Sequence, residues 1–134
     1  MRASLLALVL LAVGGCDAFG AERAYTGPDS YAYTLTESCF CVYVGPVRVT
    51  VTDGEIESVR ALGDTQGVPQ EQIDAVGQTL AELTALAGRA EREADDVTAR
   101  YDPTHGFPTR LDIDWLRDAV DDEVTYTATD FQAR

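Results

Sequence analysis

The sequence predicts an α+β domain: an antiparallel β-sheet with one main α-helix packed on one face, preceded by a cleaved lipoprotein signal peptide. Three observations predict it. The segments before about residue 62 and after about residue 97 alternate apolar and polar residues with a period of two. The middle segment carries apolar residues at spacings of three and four. Only one long helical stretch exists, whereas parallel βαβ winding needs a helix between successive strands.

Residues 1–15 read as a signal peptide. Arg2 supplies the positive start, and Leu5 to Val13 (LLALVLLAV) is an unbroken apolar run. Nine helical residues span about 13 Å, against roughly 30 Å of bilayer hydrocarbon, so this is a signal core and not a membrane span. Val13-Gly14-Gly15-Cys16 follows directly. Small residues before a Cys at that position resemble the bacterial lipobox, and the resemblance implies a diacylglycerol on the Cys16 thiol and cleavage before it. The expected address is therefore exported and lipid-anchored, in the cell membrane or the outer membrane. Residues 16–30 then read as a lipidated Cys and a flexible tether, and residues 31–131 as a single domain.

Within that domain, Tyr31, Tyr33 and Leu35 alternate with Ala32 and Thr34. Cys39 to Val44 (CFCVYV) reads as a second strand, interrupted by Gly45-Pro46. Val47, Val49 and Val51 alternate with Arg48, Thr50 and Thr52, a strand with one buried face. Asp53-Gly54 is a type I′ hairpin signal, and the return strand, Glu55 to Leu62, has Ile56 inward and a bulge near Ser58-Val59. Pro69 opens one helix whose stripe is Ile73, Val76, Leu80, Leu83, Ala87 and Ala90, with Gly77 on the same side to permit close approach to the sheet. Val97, Ala99 and Tyr101 begin the second set of strands. The turn Asp102 to Gly106 leads into Phe107, Thr109, Leu111 and Ile113; Trp115 to Val120 is a short turn; Val124, Tyr126 and Ala128 form the last strand.

The chain has 134 residues, is 46% hydrophobic, and carries 23 Asp and Glu against ten basic residues, all Arg, for a net charge of −13. Removing residues 1–15 takes away Arg2 and no acid, so nine Arg face 23 acids and the side-chain charge becomes −14. Such acidity excludes nucleic acid as a partner, because phosphate binding requires a basic patch. It also disfavours electrostatic adsorption to anionic lipid. The expected partners are the membrane, through the anchor, and an envelope protein.

The candidate sites are few. Cys39 and Cys41 lie on one face of a strand, with Cα atoms about 6.5 Å apart in ideal geometry, near the upper limit for a disulfide. A structural disulfide or buried thiols, a redox pair and a metal site all stay open. Tyr101, Asp102, Pro103, Gly106, Phe107 and Pro108 form a turn motif, structural or functional, in which the Tyr101 and Phe107 rings are expected to meet and Asp102 to accept bonds from turn N–H groups. His105 in this turn reads as exposed. Asp112, Asp114, Asp121 and Asp122 are weak metal candidates, since no Gly provides the sharp turn of a calcium loop. No catalytic residue and no cofactor is expected, because one turn His without a positioned nucleophile builds no catalytic arrangement.

Cys39-Phe40-Cys41, Gly45-Pro46-Val47-x-Val49-x-Val51-x-Asp53-Gly54, Tyr101-Asp102-Pro103-Thr104-His105-Gly106-Phe107-Pro108-Thr109, Asp112-Ile113-Asp114 and Asp121-Asp122-Glu123 together resemble the bacterial lipoprotein family catalogued as domain of unknown function 6174. The resemblance covers about Tyr31 to Phe131. It implies an exported lipoprotein and no mechanism, because the family has no established activity. The functional expectation is a non-catalytic binding or structural module; a thiol redox protein using Cys39 and Cys41, or an inhibitor-like protein-binding domain, is the alternative.

Overall fold

The computed structural model describes residues 22–41 and 45–134; the expected signal peptide and Cys16 lie outside them. Six strands form one antiparallel sheet: β1 (Tyr31–Cys39), β2 (Val47–Thr52), β3 (Glu55–Ala61), β4 (Asp96–Tyr101), β5 (Pro108–Asp114) and β6 (Glu123–Ala133). Their order across the sheet is β3-β2-β1-β6-β5-β4, two meanders joined where β1 pairs with β6.

The helical connection must carry the chain from the edge strand β3 to the opposite edge strand β4. Six strands are about 24 Å wide. The helix α2 (Leu80–Glu93) has 14 residues, or about 21 Å, enough to cross most of one face. Its Leu80, Leu83, Ala87 and Ala90 are fully buried in one core with Tyr33, Leu35, Val47, Val49, Leu111 and Ile113 of the sheet. The alanines let the helix axis approach closely. Each fully buried Leu contributes about 1.5–3 kcal/mol relative to exposure.

The expected single helix from Pro69 is in fact two. A short helix α1 (Gln70–Asp74) ends, and α2 restarts after Thr79. Thr79 Oγ1 accepts from the Glu82 N–H at 3.1 Å, and the Glu82 carboxylate accepts from the Thr79 N–H at 2.7 Å, a reciprocal cap. The T-x-x-E spelling at 79–82 outweighs the continuous apolar stripe. Gly77 sits in the break, where an added Cβ would lie 2.4 Å from Val59 Cγ2; the expected close approach to the sheet is there.

Three further expectations are corrected. Cys39 ends β1 and does not begin a second strand; Phe40 and Cys41 form a bend, and 42–44 lie outside the described residues. Ile56 stands opposite Val51 but is 37% exposed, because β3 is an edge strand that the helices cover only partly. The expected tether is shorter, since 22–30 pack on the domain. Tyr25 lies 5.5 Å from Tyr31, the Thr26 N–H donates to the His105 carbonyl at 2.9 Å, and the Asp29 carbonyl accepts from Gly54 N–H at 2.8 Å. The hairpin at Asp53-Gly54 has both φ angles positive (52° and 80°), as a type I′ turn requires. The β3 bulge falls at Glu57, between the pairs Thr50–Ser58 and Val51–Ile56.

Phenol groups of the sheet hold the start of α2. Tyr31 Oη accepts from the Leu80 N–H at 2.8 Å, and Tyr33 Oη donates to the Gln78 carbonyl at 2.5 Å. Tyr31→Phe would leave the buried Leu80 N–H without that acceptor and should lower stability by about 1–2 kcal/mol in urea unfolding; Tyr101→Phe, whose partner Glu91 is exposed, should change it by less than about 0.5 kcal/mol.

Burial and the Glu37 carboxylate push Tyr126 up to about 12 from 10.0. Burial and the Glu91 hydrogen bond do the same for Tyr101. Both phenols ionise first in the unfolded chain, so the stability they confer is whole below pH 10 and is lost as the pH rises from 10 towards 12. Unfolding free energy should therefore fall across that window, with phenolate absorbance at 295 nm (roughly the usual phenolate band) appearing together with unfolding.

Candidate functional site

The predicted site residues fall at two ends of the sheet. Tyr101 to Pro108 lies beside the start of β1. Cys39 to Cys41 lies at its end, about 26 Å along the strand.

At the first end, Asp102 organises the turn as expected. Its Oδ1 accepts from the Thr104 N–H at 3.1 Å and the His105 N–H at 2.7 Å, while its backbone pairs with Phe107 and Gly106. Pro103 is exposed at the turn. Gly106 has φ +78°, and an added Cβ would stand 2.8 Å from the Ala24 carbonyl oxygen. The segment 22–26 thus passes over the turn where only Gly fits.

Two expectations here are corrected. Tyr101 and Phe107 do not pair. The Tyr101 ring takes the Arg23 guanidinium at 4.2 Å and its hydroxyl donates to Glu91. Phe107 packs against Phe131 and Tyr25, with centroids 5.4 and 6.4 Å away. A bulge between Arg100 and Tyr101 shifts the register so that Tyr101 stands opposite Pro108, which is fully buried. His105 is half-buried, not a free turn side chain: its ring lies 4.9 Å from Phe131, and Nδ1 is 3.2 Å from Asp102 Oδ1. Sequence reasoning missed Tyr25 and Phe131, which close this aromatic cluster from the two ends of the domain. An aromatic residue in a supposed tether was the available signal.

At the second end, Cys39 and Cys41 are joined as a disulfide, with Cα atoms 5.2 Å apart. The bend at Phe40-Cys41 brings them closer than an ideal strand would. Glu37 Oε1 lies 3.9 Å from Cys39 Sγ. Among the described residues, Glu37, Cys39 and Cys41 are the group of His, Cys, Asp and Glu side chains compact enough to share an ion, but a disulfide withholds both thiolates.

The weak metal candidates do not converge. Asp112 is ion-paired with Arg110 at 2.7 Å and accepts from the Thr125 hydroxyl at 2.6 Å, and these two bonds hold its carboxyl below the usual range. Asp114 lies between Asp96 and Glu123 on neighbouring strands. Asp122 caps the following loop by accepting from the Leu116 N–H, and Asp121 is exposed with φ +78°. What gathers instead is a row of acids, Asp96, Asp114 and Glu123, at one end of the outer face of β4, β5 and β6, while Arg100 and Arg110 stand opposite each other further along that face; the loop 115–122 adjoins the acidic end. Phe40 (84% exposed) and Val120 (86%) line one shallow groove beside it with Cys39, Ala119, Asp121 and Glu123.

A family model described as a family of unknown function, DUF6174, matches residues 23–133. The chain belongs to this family. The match begins at Arg23, within the segment 22–30 that packs on the DUF6174 domain, and so includes Tyr25 and Phe131. No curated protein and no solved structure matches the chain.

The turn geometry yields a pair of expected outcomes. Gly106→Ala should destabilise the DUF6174 domain by about 2 kcal/mol, through strain at positive φ and the clash with Ala24. His105→Ala should cost about 1 kcal/mol, through the lost contact with Phe131 and the lost Asp102 bond. Urea unfolding checks both; a silent Gly106→Ala would mean that 22–26 does not hold this position in solution.

Proposed function

We propose that this DUF6174 protein is an exported, lipid-anchored envelope protein whose domain is a non-catalytic binding module. The observation that carries the anchor is the apolar run Leu5 to Val13 followed by Val13-Gly14-Gly15-Cys16. Five residues, 17–21, lie between Cys16 and Glu22, so the packed domain would stay within about 21 Å of the acylated Cys. Two or three acyl chains suffice for stable anchoring. No helix among the described residues is long and apolar enough to cross a membrane. The binding role rests on the exposed Phe40 and Val120, two large apolar side chains that the fold leaves uncovered at one tip.

The redox alternative uses Cys39 and Cys41 as a reversible pair. The Glu37 carboxylate beside Cys39 Sγ disfavours a thiolate, which a redox nucleophile needs, and this favours a structural disulfide. Alkylation mass spectrometry across a redox titration decides between the two: a pair that cycles between strongly oxidising and moderately reducing conditions would replace the structural reading.

Cys16→Ser should release the protein from the membrane fraction or leave it as an uncleaved precursor, read by fractionation and intact mass. A cleaved variant that still pellets with membranes after a high-salt wash would overturn the anchor.

A further inference from the structure

We propose that the tip formed by Phe40, Val120 and the loop 115–122 is a docking surface for a cationic protein segment that carries an apolar side chain. This inference rests on the binding-module reading and names its site and the chemistry of its partner.

Phe40 is 84% exposed, Val120 86% and Leu116 60%, three large apolar side chains on two neighbouring loops. Phe40 and Val120 share one groove, which Cys39 and Ala119 also line. A single exposed apolar residue is ordinary, whereas a contiguous group rimmed by polar residues marks an interaction surface. Phe40 sits between two cysteines bonded to each other. The staple confines the backbone on both sides of the ring, so the phenyl group is presented with less conformational freedom to lose on binding.

Charge then selects among occupants. Residues 114–123 contain five acids and one Arg, and that Arg117 is bonded to Asp95 through its backbone N–H and guanidinium. On the adjoining sheet surface, Asp96, Asp114 and Glu123 stand side by side across three strands. Among the described residues none of the three forms an ion pair, and Asp114 Oδ1 is buried without a hydrogen-bond partner. Like charges in cross-strand register oppose folding, and a cation brought from outside relieves them. An anionic lipid surface would be repelled. A second copy would bring an equally acidic tip, and strong single-sign charge keeps copies apart. A basic segment with an apolar anchor satisfies both the ring and the acids, with the acids raising the association rate and the apolar groove slowing release.

The test uses the full acylated chain reconstituted in nanodiscs of zwitterionic lipid, with empty discs as reference. The probes are Lys-rich synthetic peptides with a central Leu pair, the same peptides with Ser at those positions, and Glu-for-Lys counterparts. The Lys/Leu peptide should bind most tightly and the Glu peptide not at all. Phe40→Ser combined with Val120→Ser should weaken the Lys/Leu peptide by about tenfold, as expected for loss of a hot spot, and bring it level with the Lys/Ser peptide. Leu62→Ser, which removes an exposed apolar group elsewhere, should leave binding unchanged. Asp121→Asn with Glu123→Gln should flatten the salt dependence. Unchanged thermal unfolding of the Ser variants confirms that the tip, and not the fold, was altered. Equal binding by the wild type and the Phe40/Val120 variant, loss of binding in Leu62→Ser, tighter binding to empty anionic discs than to the Lys/Leu peptide, or self-association in sedimentation that Phe40→Ser abolishes would each overturn the proposal. The same peptide titrations on the full-length Cys16→Ser chain, which carries no acyl group, should give the same order of affinities, so a failed anchor and a failed tip are told apart.

Discussion

The seating of α2 on β1 is the constraint on which the rest of the structure depends. A helix laid on a sheet face has no strand neighbour to fix its position, and its small residues Ala87 and Ala90 give no steric stop. Tyr31 and Tyr33 supply the stop. Their rings fill the core, and their hydroxyls pair with Leu80 N–H and Gln78 C=O at the break between the two helices. The reciprocal bonds of Thr79 and Glu82 satisfy neighbouring backbone groups at the same helix end. Once that end is placed, the length of α2 carries the chain to β4, and the second meander can pair with β1 through β6.

The two ends of the sheet are built on different principles. At the start of β1, Tyr25, Tyr31, Phe107, Phe131 and His105 interlock, and Asp102 and Gly106 shape the turn around them. This end spends its aromatic surface on stability. At the end of β1, a disulfide holds Phe40 in the open, and acids surround it. Aromatic and apolar groups there contribute little to the fold, which frees them for contact with another molecule. The division follows from burial: the segment 22–30 covers one end of the sheet, and nothing among the described residues covers the other.

The outer sheet surface keeps the same economy of interactions. Asp112 meets Arg110 and Thr125, and Arg48 meets the Asp130 carbonyl and Gln132, so parts of that face are tied down by polar bonds across strands. The row Asp96–Asp114–Glu123 is the exception, and it adjoins the tip.

The period-two runs at Val47–Val51 and Leu111–Ile113, the Asp53-Gly54 turn, the Gly106 turn and the apolar stripe of α2 were legible from sequence alone. Each is a local pattern whose meaning depends on neighbours within a few residues. The resemblance to DUF6174 was legible for the same reason, through motifs that keep their spelling, although the match starts at 23 and not at about 31. The helix break at Thr79 was written in T-x-x-E, but a continuous stripe hid it. What only the tertiary structure decided are contacts between residues far apart in the chain: Tyr25 with Phe107, His105 with Phe131, Tyr31 with Leu80, and Phe40 beside Val120. Local periodicity carries no information about which distant side chain will cover a given surface. Burial of His105 and exposure of Phe40 are therefore outcomes of topology, set when β1 and β6 pair and bring the first and last strands together.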